Sequence, residues 1–339
     1  MWWETFIAAV PTVRYYSAAV KKTNEQERNM NRQDLQQRIQ GVLVTTPTPM
    51  DKTGKIDYGR ITEVTQWWVE QGLGTNTAPL KVCAAGGEGP SMTDEEWEGV
   101  IRTSVNAAPD ANFMAAVKTK SSTYLAIEDA KKARDLGIVG LQVDLPFFNH
   151  PNQDDYVRFF TDLSDGVDDV GIMIYNTFWW GCPGITPETM MRLKDAENIV
   201  ALKYSAPPDR EYEEMKEYSH IFNVINNGGK PVLCHQLGGR GYITSDATAY
   251  APHELKVWEL MEAGKYDEAQ AEIDRVNGRL GVWRTKVKEE SGGYQHLKAY
   301  MKVVGQDCGE TREPSHWVSD KLMDELREIF RGLGWPVKG

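Results

Sequence analysis

The sequence predicts a (β/α)8 barrel followed by a C-terminal helical region. From residue 41 onward, eight segments with strand character alternate with segments of helical periodicity, at a spacing of roughly 20–35 residues. A chain of 339 residues is long enough for one barrel-sized domain with an appendage. The first strand is followed by Thr45-Thr46-Pro47-Thr48-Pro49, without the glycine-rich fingerprint typical of the competing architecture, a doubly wound sheet.

Each predicted strand is a short run of aliphatic and β-branched residues. This composition is typical of parallel strands that are buried on both faces. The strands are expected at Gly41–Thr46, Leu80–Ala85, Asn112–Val117, Ile138–Leu145, Val170–Tyr175, Asn198–Ser205, Ile221–Ile225 and Gly241–Ser245.

The predicted helices follow the strands in order. The clearest start is Thr93-Asp94-Glu95-Glu96, where a capping threonine precedes acidic residues in the first turn. The barrel helices are expected at Tyr58–Gln71, Thr93–Ala107, Ser122–Asp135, Gln153–Leu163, Thr186–Lys194, Asp209–Tyr218, a short segment after Ile225, and Pro252–Ala263. Three further helices are expected at Tyr266–Leu280, Trp283–Val304 and Ser315–Gly332.

These elements divide the chain into an N-terminal extension (1–40), the barrel (41–264) and a C-terminal helical region (265–339). The extension is aromatic and small-residue rich at first, then polar and charged, and we expect it to be peripheral. A transit peptide is one alternative, although Glu4, Glu25 and Glu27 argue against it. A helix that packs on a partner, or a working start at Met30, are the others.

Composition excludes several classes of function. The net charge of −11 is spread along the chain, which argues against nucleic acid or an anionic membrane as a partner. The four cysteines and six histidines are scattered, so we expect no disulfide framework and no metal site. A cytoplasmic location is therefore the default, with organellar targeting left open by the extension. No apolar stretch is long enough to span a bilayer.

The most informative residue is Lys203, in the apolar run Asn198–Ser205. A strand buried on both faces has no obvious place for an ammonium group, so Lys203 points either into a site or to solvent at the strand end. Burial would lower its pKa and free the amine as a nucleophile toward a carbonyl. In a barrel, chemistry occurs at the carboxyl ends of the strands, and Tyr175 ends the preceding strand. The lysine could form a Schiff base while the phenol moves protons.

Five segments, taken together, resemble the pyruvate-dependent class I aldolases. That family includes dihydrodipicolinate synthase, N-acetylneuraminate lyase, the 2-keto-3-deoxy sugar acid enzymes and the aromatic hydratase-aldolases. The resemblance extends from about Gly41 to Leu333. The segments are Thr48-Pro49-Met50-Asp51 with Gly54-Lys55-Ile56-Asp57, Gly87-Glu88-Gly89-Pro90-Ser91-Met92-Thr93-Asp94-Glu95-Glu96, Tyr175-Asn176, Lys203, and Gly238-Gly239-Arg240-Gly241-Tyr242-Ile243.

The resemblance implies a role for each matching residue. Lys203 would bind pyruvate or another 2-oxo acid as an imine, with no further cofactor, and Tyr175 would relay protons. Backbone amides at Gly86 and Gly87 would hold the substrate carboxylate. Ile243 would contribute backbone contacts near the lysine. The resemblance also implies a homodimer or homotetramer.

Asn176 has two readings. It could fix the loop after Tyr175 by local hydrogen bonds, or it could position a water molecule in a hydration step.

Two departures from the family pattern affect the substrate. The stretch Ala84–Glu88 lacks the two hydroxyls that usually contact the carboxylate, so binding would depend on main-chain amides, on Thr48 or on a shifted loop. In dihydrodipicolinate synthase an arginine binds the carboxylate of the second substrate, and this chain has Trp180 at that position. The tyrosine that the partner chain contributes in that enzyme is replaced here by Phe148. A pocket that exchanges arginine for tryptophan gains an apolar, stacking surface.

The sequence therefore predicts a carbon–carbon lyase that joins or splits pyruvate and a bulky, aromatic or apolar aldehyde, and an added hydration step would make it a hydratase-aldolase. A dehydratase or aldolase for 2-keto-3-deoxy sugar acids is the first alternative, which Thr244, Ser245 and Asp246 leave open. A non-catalytic barrel of the same family is the second.

Overall fold

The computed structural model describes residues 30–118 and 122–338. Eight parallel strands, β1 to β8, form a closed barrel in sequence order, and β8 completes it by pairing with β1. This is the (β/α)8 barrel that the sequence predicts. The strands are Gly41–Thr45 (β1), Leu80–Val82 (β2), Phe113–Ala116 (β3), Gly140–Asp144 (β4), Gly171–Tyr175 (β5), Ile199–Tyr204 (β6), Asn223–Asn226 (β7) and Gly241–Thr244 (β8).

Helices follow the strands and connect each one to the next parallel strand, as in other barrels of this type. Thr93 caps its helix through the predicted capping box with Glu96. The helices after β1 to β8 are Tyr58–Glu70 (α2), Asp94–Ala107 (α3), Thr123–Asp135 (α4), Gln153–Gly166 (α5), Pro187–Arg192 (α6), a 3₁₀ segment at Tyr212–Glu217, Pro231–Gln236 (α7) and Ala247–Glu262 (α8).

Two barrel helices differ from the prediction. The segment after β6 is a 3₁₀ helix at Tyr212–Glu217 rather than an α-helix over Asp209–Tyr218. The range Ala247–Glu262 (α8) consists of two helical pieces, because the backbone of Tyr250 is non-helical; the longer piece starts next to the predicted Pro252, and a short helical turn precedes it.

The C-terminal region contains three helices, Tyr266–Ser291 (α9), Gln295–Val303 (α10) and Asp320–Leu333 (α11). The predicted break between Leu280 and Trp283 is wrong. Both residues are fully buried on one face of a continuous α9, and this packing outweighs the helix-weakening glycine at 281. The chain instead turns at Gly292, which has a left-handed φ of 79°. No helix within the described ranges is both long and apolar enough to cross a membrane.

A short helix, Arg32–Arg38 (α1), closes the amino-terminal end of the barrel. Leu35 and Ile39 are fully buried there. They pack in one apolar cluster with Leu43, Met114, Met173, Val200, Ala201 and Ile225. Thus the last residues of the predicted extension pack against the barrel, while the expectations for residues 1–29 lie outside the described residues.

Candidate active site

Lys203 lies near the carboxyl end of β6, with 6 % of its surface exposed. It pairs in register with Tyr175, the last residue of β5. The Lys203 Nζ lies 3.5 Å from the centroid of the Tyr175 ring. Burial lowers the pKa of Lys203 well below its ordinary value, and the charge of nearby Lys81 lowers it further, against the opposing effect of Asp144. An uncharged amine can act as a nucleophile.

Three interior side chains around Lys203 were not predicted from the sequence. Lys81, in the middle of β2, is fully buried, and its Nζ donates a 3.0 Å hydrogen bond to Gln142 Oε1 on β4. The same oxygen accepts a 3.3 Å bond from Lys203 Nζ. Asp144 ends β4 and pairs in register with Tyr175. Burial lowers the pKa of Lys81 to about 7, although Asp144 opposes that shift.

The surroundings of Tyr175 keep its phenol protonated. Burial raises the pKa of its phenol, and nearby Tyr294, from the segment between α9 and α10, raises it further. The Trp179 ring packs edge-on against it, with ring centroids 5.4 Å apart. The phenol therefore stays protonated at neutral pH and is available as a general acid.

The glycine loop after β2 is closely packed beneath the end of β1. Gly86 and Gly87 are buried in a 3₁₀ turn, and a side chain at Gly87 would come within 2.4 Å of the Thr46 carbonyl oxygen. The Gly87 N–H already donates to the Ala84 carbonyl at 2.9 Å. Thr48 Oγ1 donates to the Gly87 carbonyl at 2.9 Å, so its hydrogen is committed to the loop. Thr48 could offer a carboxylate this hydrogen only by breaking that bond.

The C-terminal region holds this loop in place through Glu88, which has a left-handed φ of 59°. The Glu88 carboxylate forms a 2.7 Å ion pair with Lys298 of α10, which is almost fully buried. Its other oxygen accepts a 3.0 Å bond from the Arg312 N–H. The loop conformation thus depends on residues more than 200 positions away in the chain.

Aromatic rings lie in the turns after β4 and β5 and in the segment between α9 and α10. Trp180 lies in the 3₁₀ turn after β5, and its ring centroid is 4.9 Å from that of Phe147, in the turn after β4. Phe147 in turn stacks on Phe148 at 4.6 Å. Four of the rings keep between 42 % and 67 % of their surface exposed, which is unusual for large apolar side chains. We call the following set the aromatic rim: Phe147, Phe148, Trp179, Trp180 and Tyr294.

Asn176 and Ile243 occupy different positions relative to the lysine. Asn176 is fully buried, and its amide donates to the Ser205 carbonyl at 3.2 Å and accepts from the Ile185 N–H at 3.0 Å. These bonds fix the loop after β5 and leave it no exposed surface for a substrate. Ile243, on β8, lines a cavity of about 290 Å³.

The sequence contained a signal for Lys81 that our prediction did not use. Lys81 lies between Leu80 and Val82, just as Lys203 lies between Leu202 and Tyr204. A lysine inside an apolar strand is the same anomaly in both places. The contact with Gln142 had no sequence signal, because it depends on closure of the barrel.

A closed barrel with a buried lysine beside a tyrosine at the carboxyl ends of neighbouring strands defines a barrel of the class I, Schiff-base-forming aldolase type. Residues 38–332 match the model of the dihydrodipicolinate synthetase family, and the chain belongs to that family. It is a carbon–carbon lyase of the pyruvate-dependent class I aldolase type.

Individual relatives agree with this assignment. The chain is 33 % identical over 306 residues to 4-hydroxy-tetrahydrodipicolinate synthase of Aquifex aeolicus (strain VF5), covering 88 % of this chain and 99 % of that protein. It is 28 % identical to the protein of that name from Clostridium novyi (strain NT), with 86 % and 94 % covered. The crystal structure of dihydrodipicolinate synthase from Aquifex aeolicus has a TM-score of 0.75 at 25 % identity, with 89 % and 100 % covered.

Proposed function

We propose that the protein is a lyase that forms and cleaves a carbon–carbon bond between pyruvate and a bulky aromatic or apolar aldehyde, through an imine on Lys203. The observation that carries this proposal is the position of the Lys203 amine. It lies buried 3.5 Å from the Tyr175 ring, against which the half-exposed Trp179 of the aromatic rim packs. Membership of the family supports the pyruvate half of the reaction.

The chemistry requires an amine, a proton donor and an anion site. Lys203 Nζ attacks the pyruvate ketone, and the carbinolamine loses water to give the imine. Loss of a methyl proton gives an enamine, whose carbon attacks the aldehyde carbon. Tyr175 donates a proton to the developing alkoxide, and hydrolysis of the imine releases a 4-hydroxy-2-oxo acid. The carboxylate would be held at the glycine loop by main-chain amides other than the Gly87 N–H, because that group already donates to the Ala84 carbonyl.

The aldehyde half of the proposal is supported by the aromatic rim. Trp180 stands where the resemblance places an arginine for a second carboxylate, so a dicarboxylate partner would lose its counter-charge there. Stacking on Phe147, Phe148 and Trp180 favours an aryl group instead. An aryl aldehyde gives an adduct that can lose water to a conjugated product, and this would be the hydratase-aldolase reaction.

One observation favours a second candidate, an enzyme that acts on 2-keto-3-deoxy sugar acids. The cavity of about 290 Å³ beside Ile243 is lined by polar groups that could bind hydroxyls, among them Asn226, Thr244, Ser245 and Asp246. Asp246 is, however, already paired with Arg284 at 2.8 Å. The aromatic rim offers stacking surface rather than partners for hydroxyl groups, so we rank this candidate second.

Reductive trapping tests the proposal. The protein is incubated with pyruvate and borohydride, and the adduct is located by intact and peptide mass. We expect a pyruvate-sized adduct on the peptide containing Lys203, its loss in Lys203→Ala, and its retention in the surface control Lys132→Ala, whose side chain is 50 % exposed. Turnover of aryl aldehydes and three-carbon sugar aldehydes is then compared. Absence of the adduct with pyruvate and longer 2-oxo acids would remove the imine mechanism, and preference for sugar aldehydes would favour the second candidate.

We further propose a cytoplasmic homodimer or homotetramer. One structural neighbour, the "first monomeric dihydrodipicolinate synthase variant", shares the fold with a TM-score of 0.77 at 21 % identity. Light scattering of the purified chain distinguishes a monomer from the expected dimer or tetramer.

A further inference from the structure

We propose that Lys81 is an electrostatic positioning residue, which holds the positive charge of the barrel interior and thereby keeps the Lys203 amine uncharged and ready to attack a 2-oxo acid. This inference rests on the proposed function, because it assigns a second residue to the imine-forming site. Lys81 contacts no part of the mouth and is not offered as a nucleophile.

The geometry is that of two lysines sharing one acceptor. Gln142 Oε1 accepts hydrogen bonds from Lys81 at 3.0 Å and from Lys203 at 3.3 Å. Lys81 is 0 % exposed and Lys203 is 6 % exposed, so little water reaches either nitrogen. Two ammonium ions this close in a poorly solvated interior repel each other strongly. The arrangement therefore disfavours simultaneous protonation of both lysines.

Charged and polar groups from three other strands face Lys203. Lys203 faces Lys81 from β2, Asp144 from β4 and the phenol of Tyr175 from β5. Ile225 of β7, which pairs in register with Lys203, is apolar. The Asp144 carboxylate favours the charged form of both amines, so it does not by itself select one.

The hydrogen bonds to Gln142 favour the proton on Lys81, because its bond to Oε1 is the shorter one, at 3.0 Å against 3.3 Å for Lys203. Burial lowers the pKa of Lys81 to about 7, and burial together with the charge on Lys81 lowers the pKa of Lys203 well below its ordinary value. A proton on Lys81 therefore opposes protonation of Lys203. Removal of the Lys81 charge should raise the Lys203 pKa, so that less free amine is present at neutral pH.

The test measures the protonation of Lys203 directly, without a substrate. The protein is reductively methylated with isotopically labelled formaldehyde between about pH 5 and pH 10, and the labelled peptides are quantified by mass. We expect the Lys203 midpoint of Lys81→Met to lie about one pH unit or more above that of the unchanged protein. Pyruvate trapping measured about one pH unit below the Lys203 midpoint of the unchanged protein should then be slower by a factor of about ten, and it should recover at alkaline pH.

Three further variants separate charge from packing. Lys81→Gln removes the charge but can still donate to Gln142, so it should behave like Lys81→Met, and it decides the question if the methionine variant does not fold. Lys81→Arg keeps a charge and should preserve the low midpoint. Lys132→Met removes one surface charge and should leave the midpoint unchanged.

The results separate this inference from the proposed function. Equal Lys203 midpoints in the unchanged protein and the neutral variants, or a pyruvate adduct on Lys81, would overturn the inference. If no pyruvate adduct forms in any variant, the proposed function fails, whereas the methylation midpoints still support or overturn the role of Lys81.

Discussion

The two ends of the barrel interior are built from opposite chemistries. The floor, formed by helix α1 and by residues near the middle of the strands, is an apolar cluster. The upper interior, toward the carboxyl ends, contains two lysines, an amide, a carboxylate and a phenol. We call the following residues the floor: Leu35, Ile39, Leu43, Met114, Met173, Val200, Ala201 and Ile225. We call the following residues the upper interior: Lys81, Gln142, Asp144, Tyr175 and Lys203.

The difference shows where the fold gains stability and where it gives stability up. The floor side chains contribute burial and dispersion and leave no polar group to satisfy. The upper interior buries amines whose pKa values are lowered, and each lowered pKa is a cost of folding at neutral pH. Such a cost is typical of groups kept for chemistry. Substitutions in the floor should therefore affect stability, and substitutions in the upper interior should affect activity.

The largest effect within this comparison is expected from Tyr175→Phe. Without the phenol, the proton must come from water, so kcat should fall by roughly 10²–10⁴-fold. The melting temperature should change little, because the ring and its packing on Trp179 remain. The measurements are steady-state kcat and thermal unfolding.

Tyr156→Phe is the matched control, because Tyr156 is also buried but donates to the Pro183 carbonyl at 2.6 Å outside the barrel interior. It should cost about 1 kcal/mol of stability and leave kcat unchanged. If Tyr175→Phe kept kcat within a few fold, the proton relay would have to lie elsewhere.

The reverse pattern is expected for Leu35→Ala in the floor. Leu35 is fully buried, so truncation leaves a cavity that should lower the free energy of unfolding by about 2–5 kcal/mol. Urea denaturation measures this loss, while kcat per folded molecule should be unchanged. The control Leu125→Ala, at a leucine that is 46 % exposed, should change stability by less than about 0.5 kcal/mol. A fall in kcat for Leu35→Ala without loss of stability would contradict the assignment of the floor to stability alone.

The sequence predicted the barrel and its lysine–tyrosine pair because both leave local signals. Strand periodicity and capping residues identify elements, and a lysine in an apolar strand stands out wherever it occurs. Lys81 left the same signal as Lys203 but lacked a family motif around it. The shared oxygen of Gln142 could not be predicted, since residues separated by 61 positions meet only when the barrel closes.

The errors in the helices have similar causes. Gly281 is a weak helix former, yet α9 continues through it because burial on one face outweighs local propensity. Gly292, where the chain does turn, combines a left-handed φ with the end of that buried face. Asn176 bonds to Ile185 in its own loop, which is a local contact, and to Ser205 after β6, which it meets only when the barrel closes.

The smallest effect should come from the aromatic rim, which affects the choice of aldehyde rather than the imine. Trp180→Arg places a cation where Trp180 now contacts Phe147. We expect kcat/KM for an aryl aldehyde to fall by about tenfold, roughly 1.4 kcal/mol of transition-state binding, and that for an aldehyde with a carboxylate to rise.

Trp180→Leu is the matched control, since it removes the ring without adding a charge. It should lower kcat/KM for the aryl aldehyde by a similar factor, and it should not raise kcat/KM for the aldehyde with a carboxylate. Because Trp180 packs on Phe147, whereas Trp179 is the rim residue that packs on Tyr175, the rate of pyruvate trapping should be unchanged in both variants. A change in trapping would mean that Trp180 acts on the lysine, and the upper interior would then extend to the mouth.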